Sequence, residues 1–106
     1  MRRDDDLIRT ILLATESATD HLNLDSIDLG EWTREQWVYH IRLLKEQDYL
    51  RASIMYADNT AYVVTVSGLT GRGHDLLEAI RSDTVWSRVK SALLDTAGTV
   101  GLEVIK

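Results

Sequence analysis

The chain has 106 residues, with 12 Lys and Arg against 17 Asp and Glu, 44% hydrophobic residues, and neither Cys nor Pro. Such a composition predicts one folded domain over residues 1–106 with a real core. It excludes disulfides and thiolate metal sites, and the lack of a ~20-residue apolar run or a leader pattern predicts a cytoplasmic protein without membrane association.

Asp4, Asp5 and Asp6 precede an apolar stripe of Leu7, Ile8, Ile11 and Leu12, so a first helix begins there with carboxylates at the positive end of its dipole. Residues 16–20 are small and polar and end it. Leu22/Leu24 and Ile27/Leu29 alternate with polar neighbours before Gly30, the pattern of a short strand.

The second helix has a well-specified start. Thr33 with Gln36 forms a capping-box pair, and Trp32 and Trp37 occupy the two positions of a hydrophobic staple. Trp37, Ile41 and Leu44 make the buried stripe with His40 beside it. Arg34, Glu35, Val38, Tyr39, Arg42, Lys45 and Glu46 fall towards the outside. Asp48 takes the left-handed position at the helix end.

Residues 49–56 and 61–67 read as two strands, joined by the turn residues Ala57-Asp58-Asn59-Thr60. Thr70 then caps a helix carrying His74, Leu77 and Ile80 with Leu76 alongside. Asp83 or Thr84 caps another, carrying Val85, Trp86, Val89 and Leu93. Gly98 and Gly101 break that pattern, and residues 100–105 suit a short edge strand.

The fold class expected is α+β: helix, short strand, helix, β-hairpin, two C-terminal helices. The stretch from His40 to Leu50 resembles the recognition-helix end of bacterial winged-helix regulators, with Asp48 at their usual glycine and Tyr49 at their leucine. That resemblance implies a winged-helix-like domain whose hairpin is the wing. A wider resemblance rests on Arg3-Asp4-Asp5-Asp6-Leu7-Ile8-Arg9, Tyr39-His40, Leu69-Thr70, Gly73-His74-Asp75 and Asp83-Thr84-Val85-Trp86. These segments resemble a bacterial and phage family known only as a domain of unknown function, which implies a phage, prophage or bacterial origin and no particular activity.

No nucleophile and base can be assembled from the scattered Ser, Thr and three His, so a non-enzymatic protein without cofactor or metal is expected. Gly68, Gly71 and Gly73 match no phosphate-loop spacing. His40 and His74 could meet on a metal only if their helices brought them together. The three tryptophans read as packing residues.

Charge shapes the functional expectation. Residues 1–32 hold 3 basic and 8 acidic side chains, whereas residues 33–56 set Arg34, Arg42, Lys45 and Arg51 against Glu35, Glu46 and Asp48. Double-stranded DNA is the first expected partner: Arg34 and Arg42 as guanine readers, Tyr39 on a base edge or phosphate, Lys45 and Arg51 on the backbone. Glu35, Glu46 and Asp58 oppose it, as does the poor helical pattern of residues 17–32 where a helix-turn-helix needs its first helix. The alternative is a module that binds a host or phage protein, with the acidic first third offering a negative surface. A homodimer would raise affinity for DNA. Its seam would be the first or last helix, though neither carries a sustained heptad pattern.

Overall fold

The computed structural model describes residues 1–95. In chain order these form α1 (Asp5–Ser17), β1 (Leu22–Asn23), a 3-10 turn (Leu24–Ser26), α2 (Arg34–Glu46), β2 (Leu50–Ala57), β3 (Thr60–Leu69), α3 (Gly71–Ile80) and α4 (Asp83–Asp95). The class is α+β. The expected strand over residues 100–105, with Gly98 and Gly101, lies outside the described residues.

The start of α1 explains the acidic run. Asp4 is the N-cap: its Oδ1 accepts from the backbone N–H groups of Asp6 and Leu7, satisfying donors that a helix start leaves unpaired. Leu7, Ile8, Ile11 and Leu12 are buried, and α1 packs on α2, β3 and α3. Each such side chain contributes roughly 1.5–3 kcal/mol on burial. The stripe is therefore spent inside the molecule.

The alternating stretch 22–29 pairs only briefly. Leu22 and Asn23 oppose Val66 and Thr65 of β3, and then the Asn23 side chain accepts from Asp25 N–H and turns the chain. Asp28 does the same for Gly30, which sits at φ 69°. Local side-chain bonds thus compete successfully with a longer strand. Ile27 and Leu29 still pack against the core.

Both ends of α2 follow the sequence. Thr33 Oγ accepts from Gln36 N–H while Gln36 Oε1 accepts from Thr33 N–H, a complete capping box. At the far end Asp48 adopts φ 63°. Its N–H donates to the Lys45 carbonyl and Tyr49 N–H donates to the Leu44 carbonyl, the paired bonds of a Schellman stop with aspartate in the place of glycine. Val38, expected on the outside, is buried beside Trp37, Ile41 and Leu44.

Among the described residues three strands form an antiparallel sheet in the order β1-β3-β2. Asp58 and Asn59 both take positive φ, as the two central residues of a type I′ hairpin turn must. Ser82, rather than Asp83 or Thr84, caps α4: its Oγ accepts from Val85 N–H and its carbonyl from Trp86 N–H. Helix α3 starts under a tight constraint. A Cβ at Gly73 would lie 1.8 Å from the Tyr49 carbonyl oxygen, so the helix approaches the α2–β2 junction closely only because that residue is glycine.

Candidate functional site

The outward side of α2 and the adjoining hairpin carry the residues singled out from the sequence, Arg34, Tyr39, Arg42, Lys45 and Arg51. The two elements are joined by arginines. Arg34, in the first turn of α2, donates through Nη1 to the Ala61 carbonyl at 2.7 Å and through Nε to Asp25 at 3.0 Å. Arg42, two turns on, donates through Nη2 to the Tyr56 hydroxyl at 2.8 Å and lies 5.7 Å from that ring's centre. Tyr56 and Ala61 are partners in the β2–β3 register, so both arginines converge on one cross-strand pair.

Between helix and hairpin runs an open groove of about 390 Å³ whose walls include Arg34, Val38, Tyr39, Arg42, Tyr56 and Ala61. It brings together three of the five residues singled out from the sequence. Lys45 and Arg51 are exposed but do not line it. Glu35 and Glu46 are also exposed on α2, and Asp58 is exposed at the hairpin turn, so the surface carries both signs of charge.

Arg34 is engaged within the chain. It is half-buried, bonded to a backbone carbonyl and ion-paired with Asp25. A guanidinium so held fixes the helix against the hairpin, and two of its donors are no longer available to a guanine edge. Tyr56 joins the site although nothing in the sequence singles it out. Along β2 the side facing α2 runs Leu50, Ala52, Ile54, Tyr56, with exposure rising towards the turn. Period-2 counting places Tyr56 on that side, where the strand outruns the helix core and the ring meets Arg42.

The remaining sequence motifs resolve into structure. His40 is buried and its Nε2 lies 2.7 Å from Asp4 N. Because a backbone N–H only donates, Nε2 accepts, and Nδ1 carries the proton towards the Gln36 carbonyl 2.7 Å away. His74 is exposed on α3. Among the described residues no His, Asp and Glu group has metal-binding geometry.

Each tryptophan donates its indole N–H internally: Trp37 to the Leu29 carbonyl, Trp32 to Asp4 and Trp86 to Asp6. Two of the three consecutive aspartates thus anchor tryptophans from distant parts of the chain. The third, Asp5, pairs with Arg3; burial pushes its carboxyl above the usual carboxylate range against the pull of that arginine. Arg81 forks onto Glu16 at 2.8 and 2.5 Å, and this hydrogen-bonded pairing holds the Glu16 carboxyl below its ordinary value.

No helix among the described residues is long and apolar enough to cross a membrane. A family model described as "Hypothetical protein (DUF2513)" matches residues 2–99. The chain is similar to an uncharacterized protein of Haemophilus influenzae, 34% identical over 107 residues, covering all of this chain and 90% of that one. No solved structure matches it.

Proposed function

We propose that this chain, which belongs to the family described as hypothetical protein (DUF2513), is a non-catalytic recognition module of winged-helix organisation that grips a partner protein through α2 and the hairpin. The organisation is supported by the order helix, strand, helix, hairpin and by β1 pairing with the inner hairpin strand β3. The place of the first helix of a helix-turn-helix holds only the 3-10 turn Leu24–Ser26, which weakens a major-groove docking.

The observation that carries the choice of partner is the engagement of Arg34 by Asp25 and Ala61. With it committed, the exposed Arg42, Lys45 and Arg51 are matched in number by the exposed Glu35, Glu46 and Asp58. That balance gives little counterion release on a duplex. Tyrosine and arginine flanked by apolar Val38 and Ala61 match what protein interfaces enrich.

Replacing Tyr39 with a photo-crosslinking phenylalanine analogue in bacterial cells tests this. A discrete, nuclease-resistant protein adduct is expected from position 39 and not from the same analogue at Asp75, and it should disappear with Arg42→Glu. The second reading, duplex DNA, draws on the exposed Arg42, Lys45 and Arg51. A nuclease-sensitive adduct, with duplex binding that Arg42→Ala weakens and salt suppresses, would establish it instead.

A further inference from the structure

His40 is only 1% exposed, and it does not line the groove. Its ring stands between two backbone groups, with Nε2 accepting from Asp4 N–H and Nδ1 donating to the Gln36 carbonyl. Only the neutral ring can do both. A proton added at Nε2 sets two donors against each other where a 2.7 Å bond stood. That bond matters beyond the helix start. Asp4 also holds the Trp32 indole through Oδ2 and the first turn of α1 through Oδ1. Three residues earlier, Met1 lines the α2–hairpin groove together with Tyr39. Tyr39 in turn meets the His40 ring edge-on, with 5.2 Å between centres. One buried ring thus reaches the groove by two routes.

We propose that His40 is an acid-sensitive latch on one wall of the groove. The neutral ring holds Asp4 and the segment that ends in Met1; the protonated ring releases them. On the α1 side the charged residues beside the bond are Asp4, Asp5 and Asp6, with Arg3 paired to Asp5. Glu31 adjoins Trp32 in the loop before α2. On α2 itself the residues one turn away, Gln36, Trp37, Leu43 and Leu44, carry no charge. The switching group is therefore the imidazole, and what it switches is a backbone bond between α2 and the start of α1. Control of a partner by this latch rests on reading the groove as a recognition surface. The release of Met1 does not, and the experiment reads that release.

Met1 and Met55 are the chain's two methionines, so methyl labelling of the full chain gives two NMR signals, which Met55→Leu assigns. The titration runs from about pH 8 to about pH 5, the range in which histidine changes charge. The Met1 methyl and the Trp32 indole N–H should shift with the His40 ring at one shared midpoint. His21 and His74, both exposed, should follow midpoints of their own, while the α2 amide signals stay dispersed. His40→Gln keeps an acceptor for Asp4 N–H without a titrating ring, so the Met1 response should vanish. The titration of the parent chain decides the matter alone if that variant fails to fold. A Met1 methyl that holds still while His40 gains its proton overturns the proposal, as does a His40 ring still neutral at about pH 5. Loss of the α2 signals together with the Met1 shift overturns it too, because acid would then be unfolding the whole chain. So does a Met1 response that survives in His40→Gln, which would assign it to the neighbouring carboxylates.

Discussion

Arg34 and Arg42 reach the same rung of the hairpin, one through the Ala61 carbonyl and the other through the Tyr56 hydroxyl. Two bonds set at either side of one register pair fix the angle between α2 and the hairpin, and with it the width of the groove. Their energies differ because their surroundings do: the Arg34 bond is part-buried and the Arg42 bond is exposed. Arg34→Ala should cost about 1–2 kcal/mol of stability, since it strips a charged donor from a shielded carbonyl. Arg42→Ala should cost less than about 0.5 kcal/mol. Urea unfolding of the two variants checks the order, and equal losses would contradict it.

Asp4 and Asp6 at the start of α1 tie down the approach to α2 and the start of α4. Asp4→Ala removes the N-cap acceptor of α1 and the acceptor of the Trp32 indole together. A loss of about 2 kcal/mol is expected, at the upper end for a cap alone. Tryptophan emission should shift as Trp32 loosens. An Asp4→Asn variant retains one acceptor oxygen and should recover part of the loss.

Gly73→Ala is the most damaging single change we expect. The added methyl meets the carbonyl oxygen of Tyr49, a backbone atom that cannot step aside, while Tyr49 is itself fully buried. Loss of more than about 3 kcal/mol, or failure to fold, is expected. Gly71→Ala, with open space around it, should be neutral or slightly stabilising inside the helix. Circular dichroism melts of the pair distinguish a steric requirement from a general preference for glycine.

Much of this fold is readable from local chemistry. The capping box at Thr33, the left-handed Asp48 and the hairpin turn at Asp58-Asn59 are each fixed by a few neighbouring residues, and the structure has all three. What local pattern could not convey is where side chains travel in space. Arg34 shares a helix with Arg42, yet Asp25, nine residues earlier, draws it into a bond. Val38 was placed outside by helical counting alone, but the hairpin folds over that side of α2 and buries it. Trp86 and Asp6 are 80 positions apart, a pairing that no periodicity reveals.

Acid should act unequally on the two perturbed carboxylates. Hydrogen bonding to Arg81 lowers the folded-state pKa of Glu16, so its stabilising contribution is present above the ordinary carboxylate range, about 4, and is lost as pH falls through the lower folded value. The melting temperature of Glu16→Gln should therefore lie below that of the parent at pH 7, and the gap should close towards about pH 3. Burial raises Asp5, so the sign reverses. Its charged form costs stability at neutral pH, and Asp5→Asn should match or exceed the parent there.

The central claim is that the α2–hairpin surface recognises protein and leaves nucleic acid aside, and photo-crosslinking from Tyr39 in living cells tests it most directly. A discrete protein adduct that survives nuclease treatment, is absent from position 75 and vanishes with Arg42→Glu is the predicted result. An adduct that nuclease removes, or equal labelling from both positions, would contradict it.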